Sequence, residues 1–498
     1  MSTGERMRYV LSVDAGTTSV RCLAFGPGCE LLAEDQLDFP QHCPSDGLVE
    51  QDPMDILDVA VRCIRSCVSR LGKDGCVALS IANQRETTVV WDRYTGKPVY
   101  PAIVWQDRRT ATECERMKDC EPRVHHVTGL RMDAYFSATK IAWILDHVEG
   151  ARGRAERGEL LFGNVDSWLV WNLTSGREHR TDTTNASRTM LFDIERLEWS
   201  DEMLDLFRVP RCILPEVLPS DAVFGVTDEG LIGVSVPITG VIGDQQSALF
   251  GQSCLEDGDI KVTFGTGGFL LMNIGQSPER SDDGLVTTVA WSLGGRTSYA
   301  IEGSVYIAGE AVQWIRDDLG LISESAETEG LATSVPDTAG CYLVPAFVGL
   351  GAPYWDQEAR GTLVGLSRRV DRRHIARAVL ESMAYQTYDV LRCMEPCCPE
   401  RIRSIKVDGG ASANGFLCQF LADITGTEVV RPSCIEATAM GCARIAGVAV
   451  GLWEPDTRSV TRSDVFVPRM DEDRRRALLE GWRRAVGTAR HWSSDRMG

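Results

Sequence analysis

Apolar and polar residues alternate along the first ninety positions in the way that is typical of strands interleaved with one long amphipathic helix. Short apolar runs predict strands over 8–13, Ser19–Phe25, Val77–Ala82 and Val89–Asp92. Asp52 can cap and Pro53 can open a helix that reaches about Leu71. Its predicted buried face comprises Ile56, Ala60, Cys63, Cys67 and Leu71.

The second half of the chain repeats this order of elements. The pattern predicts strands over Ile260–Phe264, Phe269–Asn273 and Ser404–Val407, and helices over His374–Met394, over about a dozen residues from Asn414, and over Thr438–Gly451. The last helix is rich in Ala and Gly, which favours close helix packing. Alternating strands and helices predict an α/β fold whose sheets are covered on both faces.

A repeated turn divides the chain into halves. Thr17 and Thr266 lie in similar Gly-Thr turns, 249 residues apart in a chain of 498 residues. We therefore predict two similar domains, over 1–250 and 251–498, with a boundary near Phe250–Gly258.

Composition narrows the class of protein. Apolar residues (43%) and charged residues (25%) are at the levels of a globular protein, and the net charge of −19 argues against nucleic acid or an anionic membrane as partner. No signal-peptide core or bilayer-spanning apolar run is present, so we expect a cytoplasmic protein without stable membrane insertion. The 17 cysteines contain no Cys-x-x-Cys pair and indicate reduced thiols rather than zinc.

The few lysines limit how ATP could be bound. Of six lysines, only Lys73 and Lys97 follow glycine, and neither precedes Ser or Thr, which excludes a P-loop. The glycine loop of protein kinases is also missing. The two Gly-Thr turns offer another route, since their backbone N–H groups and hydroxyls can face a phosphate. Asp14 precedes the first turn, where a carboxylate can hold magnesium, whereas Thr263 takes that place in the second.

A third glycine element lies at Asp408-Gly-Gly, between a predicted strand and the helix that Asn414 opens. Its flat backbone can pack against a nucleotide. Each of the three elements is, by itself, also typical of an ordinary tight turn.

Taken together, the three elements resemble the sugar-kinase branch of the actin/hexokinase/Hsp70 superfamily. Longer stretches that begin at Asn83, Ala102, Thr184, Gly243 and Pro345 are similar to the glycerol kinases of the FGGY sugar-kinase family. The resemblance covers essentially the whole chain. It implies two ribonuclease-H-like domains with the active site in the cleft between them, phosphorylation of glycerol by ATP with Mg²⁺ to give sn-glycerol 3-phosphate, and assembly into dimers or tetramers.

The same resemblance implies individual site residues. The implied glycerol ligands are Arg85, Glu86, Tyr135, Asp244 and Gln245, with Trp105 and Phe269 as aromatic walls. The implied nucleotide contacts are Thr17, Thr18, Ser19, Arg21, Thr266, Gly309, Gln313, Gly410 and Asn414. Asp244 is the candidate general base, because it need only accept the proton of the attacking hydroxyl. Asp14 is the candidate magnesium ligand.

Some alternatives stay open at this point. Arg85–Glu86 could be a surface ion pair, and Tyr135 or Trp105 could serve packing alone. A kinase for another small polyol or sugar is the nearest rival function. An actin- or Hsp70-like ATP-driven binding protein would need no polyol pocket, and a non-catalytic sensor is expected to lose Asp244 or Asp14.

The chain also departs from the glycerol kinases. Ala15 stands where glutamine is usual, and Gly268 stands where cysteine is frequent. Residues 228–235 contain two acids but no Arg, Lys or His. We therefore expect no inhibition by fructose 1,6-bisphosphate and no activation through a phosphorylated histidine.

Overall fold

Two mixed sheets organise the chain, one in each half. The computed structural model describes residues 7–398, 402–432, 436–454, 457 and 463–494. The strands of the first half are β1 (Tyr9–Ala15), β2 (Ser19–Phe25), β3 (Leu31–Asp38), β4 (Glu50–Gln51), β5 (Cys76–Asn83), β6 (Val89–Asp92), β7 (Ala102–Ile103), β8 (Leu160–Gly163), β9 (Arg180–Asp182), β10 (Phe192–Asp193), β11 (Glu198–Trp199), β12 (Glu216–Leu218), β13 (Val223–Val226) and β14 (Pro237–Gly243). Its helices are α1 (Pro53–Leu71), α2 (Ala111–Arg116), α3 (Glu121–Thr128), α4 (Ser137–His147), α5 (Ala151–Glu156), α6 (Val165–Leu173), α7 (Thr183–Ala186), α8 (Asp201–Phe207), α9 (Glu229–Ile232) and α10 (Asp244–Gly251).

The second half contributes fewer and longer elements. Its strands are β15 (Ile260–Phe264), β16 (Gly268–Gly275), β17 (Val286–Leu293), β18 (Arg296–Val305), β19 (Tyr342–Val344), β20 (Thr362–Val364), β21 (Ser404–Asp408), β22 (Glu428–Pro432) and β23 (Ser463–Phe466). Its helices are α11 (Gly309–Asp317), α12 (Glu327–Thr333), α13 (Arg372–Met394), α14 (Gly415–Thr425), α15 (Ala437–Ala449) and α16 (Glu472–Ser494).

The two large sheets share the same central topology, although the first has six strands and the second has seven. The first has the order β13-β14-β5-β1-β2-β3, and the second has the order β17-β18-β16-β15-β21-β22-β23. In each, an antiparallel hairpin (β1–β2 or β15–β16) lies beside two parallel strands (β5 and β14, or β21 and β22). The predicted α/β fold with two similar halves is therefore confirmed, and the halves form the two lobes of the molecule.

Strand β1 shows why both faces of the first sheet are covered. Tyr9, Leu11 and Val13 are buried in the cluster that includes the apolar face of α1, while Val10 points into a second cluster with α15. Helix α1 begins as predicted, since the Asp52 carboxylate accepts a hydrogen bond from the Met54 N–H at 2.8 Å. The predicted buried face of α1 is confirmed except at its last residue, which is only partly buried.

Helices α10 and α15 cross between the lobes with their backbones in contact. A Cβ atom on Gly441 would lie 1.9 Å from the Ser247 carbonyl oxygen, and one on Gly251 would lie 2.0 Å from the Ala437 carbonyl oxygen. The prediction of close packing by the Ala- and Gly-rich helix is thus confirmed. Helix α15 also lies on the first sheet, where Ser12 Oγ donates to the Ala439 carbonyl at 2.8 Å.

We expect Gly441→Ala to destabilise the protein by about 1–3 kcal/mol, because the added methyl group overlaps a backbone atom that cannot rotate away. Denaturant unfolding followed by circular dichroism measures the change. Gly487→Ala in α16 is the matched control, since its Cβ would meet no atom within 4 Å. The control should be neutral or stabilising, and equal effects at both positions would contradict the packing argument.

Two further features of the described part of the chain concern its cysteines and the apolar character of its helices. No disulfide joins any two of the sixteen cysteines within it. Among the same residues, no helix combines the length and the apolar character needed to cross a bilayer.

Candidate active site

The candidate site lies at one edge of the first sheet, where the parallel strands β1, β5 and β14 end. Asp14 is near the end of β1, Arg85 and Glu86 follow β5, and Asp244 follows β14. Because β5 and β14 run parallel to β1, their carboxyl ends meet at one edge of the sheet. The topology thus brings together residues that lie more than two hundred positions apart.

Arg85 is the centre of the polar contacts. It is 3% exposed and its neighbour Glu86 is 1% exposed, so the interpretation of this pair as a surface ion pair is wrong. Its shortest contact joins Nη1 to Glu302 Oε2 at 2.6 Å, and its Nε lies 3.4 Å from Asp244 Oδ1. Its Nη2 donates to the Tyr135 hydroxyl at 3.4 Å. The guanidinium therefore joins two other predicted substrate residues, Asp244 and Tyr135.

Two further charged residues complete this cluster, and the sequence analysis missed both. Arg188 donates from Nε to Glu86 Oε1 at 2.6 Å and from Nη2 to Glu302 Oε1 at 2.8 Å. Burial opposes ionisation of Glu302, but the charges of Arg188 and Arg85 lower its pKa to about 2. Glu302 lies on β18 in the second lobe, so the two arginines and two glutamates form a buried ion-pair network across the lobes.

The backbone at Glu86 has an unusual conformation. Its φ angle of 61° lies in the left-handed region, which costs a residue with a side chain about 1–3 kcal/mol. The Glu86 carbonyl accepts hydrogen bonds from Ser137 Oγ and Thr88 Oγ1 at 3.1 Å each and from Lys140 Nζ at 3.5 Å. Burial lowers the pKa of this Lys140 ammonium to about 7. The surrounding donors hold the strained turn that points Glu86 into the site.

Aromatic rings from both lobes close the sides of the cluster. The Trp105 ring lies 5.7 Å from the Tyr135 ring and 6.3 Å from the Phe269 ring, edge to face in each case. Trp105 Nε1 also donates to Thr17 Oγ1 at 3.0 Å. Phe269 belongs to β16, so the two predicted aromatic walls, Trp105 and Phe269, come from different lobes. The hydrogen bond to Thr17 connects Trp105 to the first hairpin.

Asp244 is the first residue of α10. Gly243 precedes it, donates its N–H to Thr184 Oγ1 at 2.8 Å, and leaves no room for a Cβ, which would lie 2.9 Å from Arg85 Cδ. Asp244 Oδ1 accepts the N–H of Gln245 at 2.6 Å, and the side chain stays 27% exposed. Burial raises the pKa of Asp244, the neighbouring charge of Arg85 lowers it, the charge of Asp14 raises it and that of Lys261 lowers it, with a net rise.

The first glycine hairpin carries Asp14 and the predicted phosphate residues. Gly16 N–H donates to the Ser19 carbonyl at 3.0 Å, which closes the turn and leaves the Thr18 side chain exposed. Arg21 lies between two carboxylates, 2.7 Å from Asp14 Oδ2 and 2.5 Å from Glu436 Oε2.

The second hairpin supports the start of α11. Gly309 N–H donates to the Gly265 carbonyl at 3.0 Å, and a Cβ at this position would lie 2.5 Å from the same oxygen. Glu310 N–H donates to the Thr266 carbonyl at 3.1 Å. Gln313 lies one turn further along α11 and is exposed. Three of the predicted nucleotide residues are thus adjacent in space.

The third glycine element lies against the second hairpin. Gly409 has a φ angle of 83°, and a Cβ there would lie 2.4 Å from the Phe264 carbonyl oxygen, so this position requires glycine. Gly410 faces open space. Asn414 caps α14 by accepting the Leu417 N–H at 3.0 Å, and its amide donates to Thr328 Oγ1 at 3.1 Å.

Two similar α/β lobes, a glycine hairpin in each, and a pocket of charged side chains from both lobes define a phosphoryl-transfer enzyme of the two-lobed sugar-kinase class. The chain belongs to the FGGY family of carbohydrate kinases: the N-terminal domain of that family matches residues 9–251, and its C-terminal domain matches residues 260–450. The family resemblance and the fold class expected from the sequence are confirmed.

Individual relatives match over nearly the whole length. A glycerol kinase of Carboxydothermus hydrogenoformans is 52% identical over 496 residues, which cover 98% of this chain and 99% of that protein. A glycerol kinase of Thermoanaerobacter sp. is 50% identical, covering 98% of this chain and all of that protein. Among solved structures, Plasmodium falciparum glycerol kinase with ADP is 34% identical with a TM-score of 0.92, over 97% of this chain and 98% of that one.

Proposed function

We propose that this enzyme transfers the γ-phosphoryl group of ATP to a terminal hydroxyl of glycerol, giving sn-glycerol 3-phosphate and ADP. The observation that carries the proposal is the pocket formed by the buried Arg85–Glu86 pair, Asp244 and the facing rings of Trp105 and Phe269. Relatives that are about half identical over nearly the whole chain are glycerol kinases, which supports the same substrate here.

The pocket matches the chemistry of a three-carbon polyol. Arg85 can donate to one hydroxyl and Glu86 can accept from another, and bonds to charged groups are stronger than those between neutral groups. The Tyr135 hydroxyl, which Arg85 already contacts, offers a further partner. Trp105 and Phe269 supply apolar surface for the carbon backbone. Because the walls come from different lobes, closure of the cleft would seal this small volume.

Asp244 is proposed to act as the general base. As the terminal hydroxyl oxygen attacks the γ-phosphorus of ATP, its proton passes to the Asp244 carboxylate; the new O–P bond forms while the bond to the β-phosphate oxygen breaks, and ADP leaves. Asp244 is suited to this task because its carboxylate is anchored by the Gln245 N–H and yet remains partly exposed. Positioning by the pocket would provide much of the rate enhancement.

The three glycine elements are proposed to bind the nucleotide. Thr17, Thr18 and Ser19 offer hydroxyl and N–H donors to the phosphates, with Thr266 opposite them. Gly309 and Gln313 would contact the nucleotide from α11. The open space beside Gly410 leaves room for it next to Asn414.

Magnesium is proposed to bind at Asp14. Mg²⁺ in phosphoryl-transfer sites is commonly held by one or two carboxylates together with substrate phosphates. Asp14 presents a buried carboxylate, and among the residues that the structure describes only Arg21 bonds to it, at Oδ2. Once bound, the ion would neutralise charge on the phosphates. Arg21, which also pairs with Glu436, would keep a positive charge next to this site.

The proposed reaction uses cellular ATP, and we therefore infer a cytoplasmic enzyme. We also infer a homodimer or homotetramer, as in the relatives that the sequence resembles. Size-exclusion chromatography with light scattering measures the assembly directly.

The substrate is tested by ADP release with glycerol, erythritol and xylitol as acceptors. We expect kcat/KM for glycerol to exceed that for each longer polyol by about 10²-fold, because a longer carbon chain would have to fit against the same two aromatic walls. Trp105→Ala is expected to narrow that ratio, whereas Trp492→Ala, at an exposed position outside the site, should preserve it. A higher kcat/KM for a four- or five-carbon polyol would identify a kinase for another substrate of the same family.

A further inference from the structure

Lys261 lies at the boundary between the lobes, and neither the sequence analysis nor the proposed reaction assigns it a role. It belongs to β15 and its side chain is fully buried. The Lys261 ammonium donates to Thr263 Oγ1 at 2.8 Å and to the amide oxygen of Gln245. Both partners are neutral, and in the described part of the chain no carboxylate forms a salt bridge with this ammonium.

A buried ammonium without a salt bridge is costly to fold, because hydrogen bonds to neutral groups and the charges of Asp408 and Asp244 offset its desolvation only in part. Burial lowers the pKa of Lys261, in agreement with that cost. Methionine of similar length would fill the same volume at a smaller desolvation cost. The lysine is therefore poorly explained by stability and better explained by a contribution to the reaction.

Its position supports such a contribution. Lys261 and Thr263 lie on the same face of the central strand of the second sheet, directly before the hairpin that carries Thr266. Gln245 belongs to the first turn of α10, next to Asp244. The ammonium thus connects the strand that leads to the nucleotide hairpin with the helix turn that carries the proposed base.

The hydrogen bond also fixes which way the Gln245 amide faces. An amide has an acceptor oxygen on one side and a donor NH₂ group on the other, and its orientation follows from its partners. Because the oxygen faces Lys261, the Nε2 group is turned toward Asp244, 3.5 Å from Oδ2. In this orientation Gln245 presents N–H donors, rather than an acceptor, to the reacting end of the substrate.

The charges around Lys261 also favour a cation at this position. Arg85, Arg188 and Lys261 carry three positive charges, whereas Glu86, Glu302, Asp244 and Asp408 can carry four negative ones. Without Lys261 the negative excess beside Asp244 would be larger, before the phosphates of ATP add more. A fixed cation there stabilises charge in a site from which water is excluded.

We propose that Lys261 is a positioning residue for phosphoryl transfer, which orients the Gln245 amide from the second lobe and supplies a positive charge beside Asp244. This inference rests on the proposed function, since it assigns Lys261 to the same reaction.

Lys261→Met is the main test. We expect kcat to fall by about 10²-fold, as for other small displacements of reacting groups, while KM for glycerol changes less than kcat and the melting temperature stays at or above that of the wild type. A purely structural residue would lower the melting temperature and leave the kcat of the folded fraction unchanged. That second pattern overturns the proposal.

Lys406→Met is the matched control. Lys406 pairs in register with Lys261 on the neighbouring strand β21, but its ammonium donates to the Ser253 carbonyl, beyond the far end of α10, at 2.8 Å. Its kcat should stay within about twofold of the wild type, as expected for a residue outside the chemistry. An equal loss of kcat in both variants would also contradict a specific role for Lys261.

Lys261→Arg and a double variant complete the design. Arginine keeps the charge but cannot place its planar fork where the ammonium lies, so we expect a folded protein with kcat lowered about tenfold; wild-type kcat would contradict the positioning role even if the methionine variant failed to fold. Lys261→Met combined with Gln245→Leu should lose less than the sum of the two single losses, because both changes act in part through one amide. Additive losses would overturn that coupling.

These measurements separate the inference from the proposed function. Wild-type turnover of glycerol tests the function by itself. The lysine variants are then compared with the wild type on whichever polyol the wild type uses best, so a wrong substrate and a wrong role for Lys261 give different results.

Discussion

Replacing Asp244 by asparagine is expected to lower kcat by about 10²–10⁴-fold, because the variant cannot accept the proton of the attacking hydroxyl. The amide keeps the size of the side chain and can still accept the Gln245 N–H, so KM for glycerol should change far less. Coupled detection of ADP release measures both constants. Asp205→Asn, at an exposed position of α8, is the matched control and should retain wild-type kcat.

The dependence on pH gives a second signature of the same residue. Burial raises the pKa of Asp244 and outweighs the Arg85 charge, which lowers it. As the pH falls through this raised value, the base becomes protonated, so kcat/KM should fall at a pH above the ordinary aspartate value of about 3.9. The asparagine variant should lose this acid limb. Full turnover by the variant, or an unchanged acid limb, would exclude Asp244 as the base.

The second large effect is expected on stability, at Glu302. Glu302→Leu leaves Arg85 and Arg188 buried without their shared partner, and breaking a buried ion pair in this way typically costs about 3–5 kcal/mol. Denaturant unfolding measures the loss. Glu324→Leu, at an exposed position, should change stability by less than about 0.5 kcal/mol. A neutral Glu302→Leu variant would show that the network contributes little to folding.

The same residue predicts how stability responds to acid. The pKa of Glu302 falls from 4.5 to about 2 in the folded protein, because the arginine charges outweigh burial. Its stabilisation is therefore complete above pH 4.5 and is lost as the pH falls toward 2. Unfolding free energies of the wild type and Glu302→Gln should converge over this range.

Local chemistry explains why much of the fold was predictable. Asp52-Pro53 marks the start of α1, and Asn414 caps α14, since each supplies a side-chain acceptor where a helix leaves N–H groups unpaired. The glycine turns were equally visible, because Gly409 stands where a Cβ would overlap a backbone oxygen. The packing of α10 and α15 against each other was harder to predict, because the hydrophobic periodicity of a helix does not show which sheet the helix covers.

The site was predictable only in part for a similar reason. Arg85 and Glu86 stand side by side in one motif, and a separate stretch that begins at Gly243 indicated Asp244. Glu302 is joined to Arg85 by a contact that spans 217 positions, and Arg188 is joined to Glu86 by one that spans 102 positions. The one local signal was a glutamate in the middle of β18, where an apolar residue is usual for a central strand. Ion pairs of this kind depend on how the two lobes lie relative to each other. Local patterns in the sequence do not show that arrangement.

The crossing of α10 and α15 has a consequence for how the chain could be divided. Leu249 of α10 is buried with Leu271 and Ala300 of the second sheet, whereas Ala439 and Met440 of α15 are buried with strands of the first. Each half thus packs one of its helices against the sheet of the other half, as two subunits do when they exchange an element. A cut near residue 255 would give two polypeptides, each with an apolar surface that only the other covers. Despite their matching topologies, the two halves are therefore obligate folding partners.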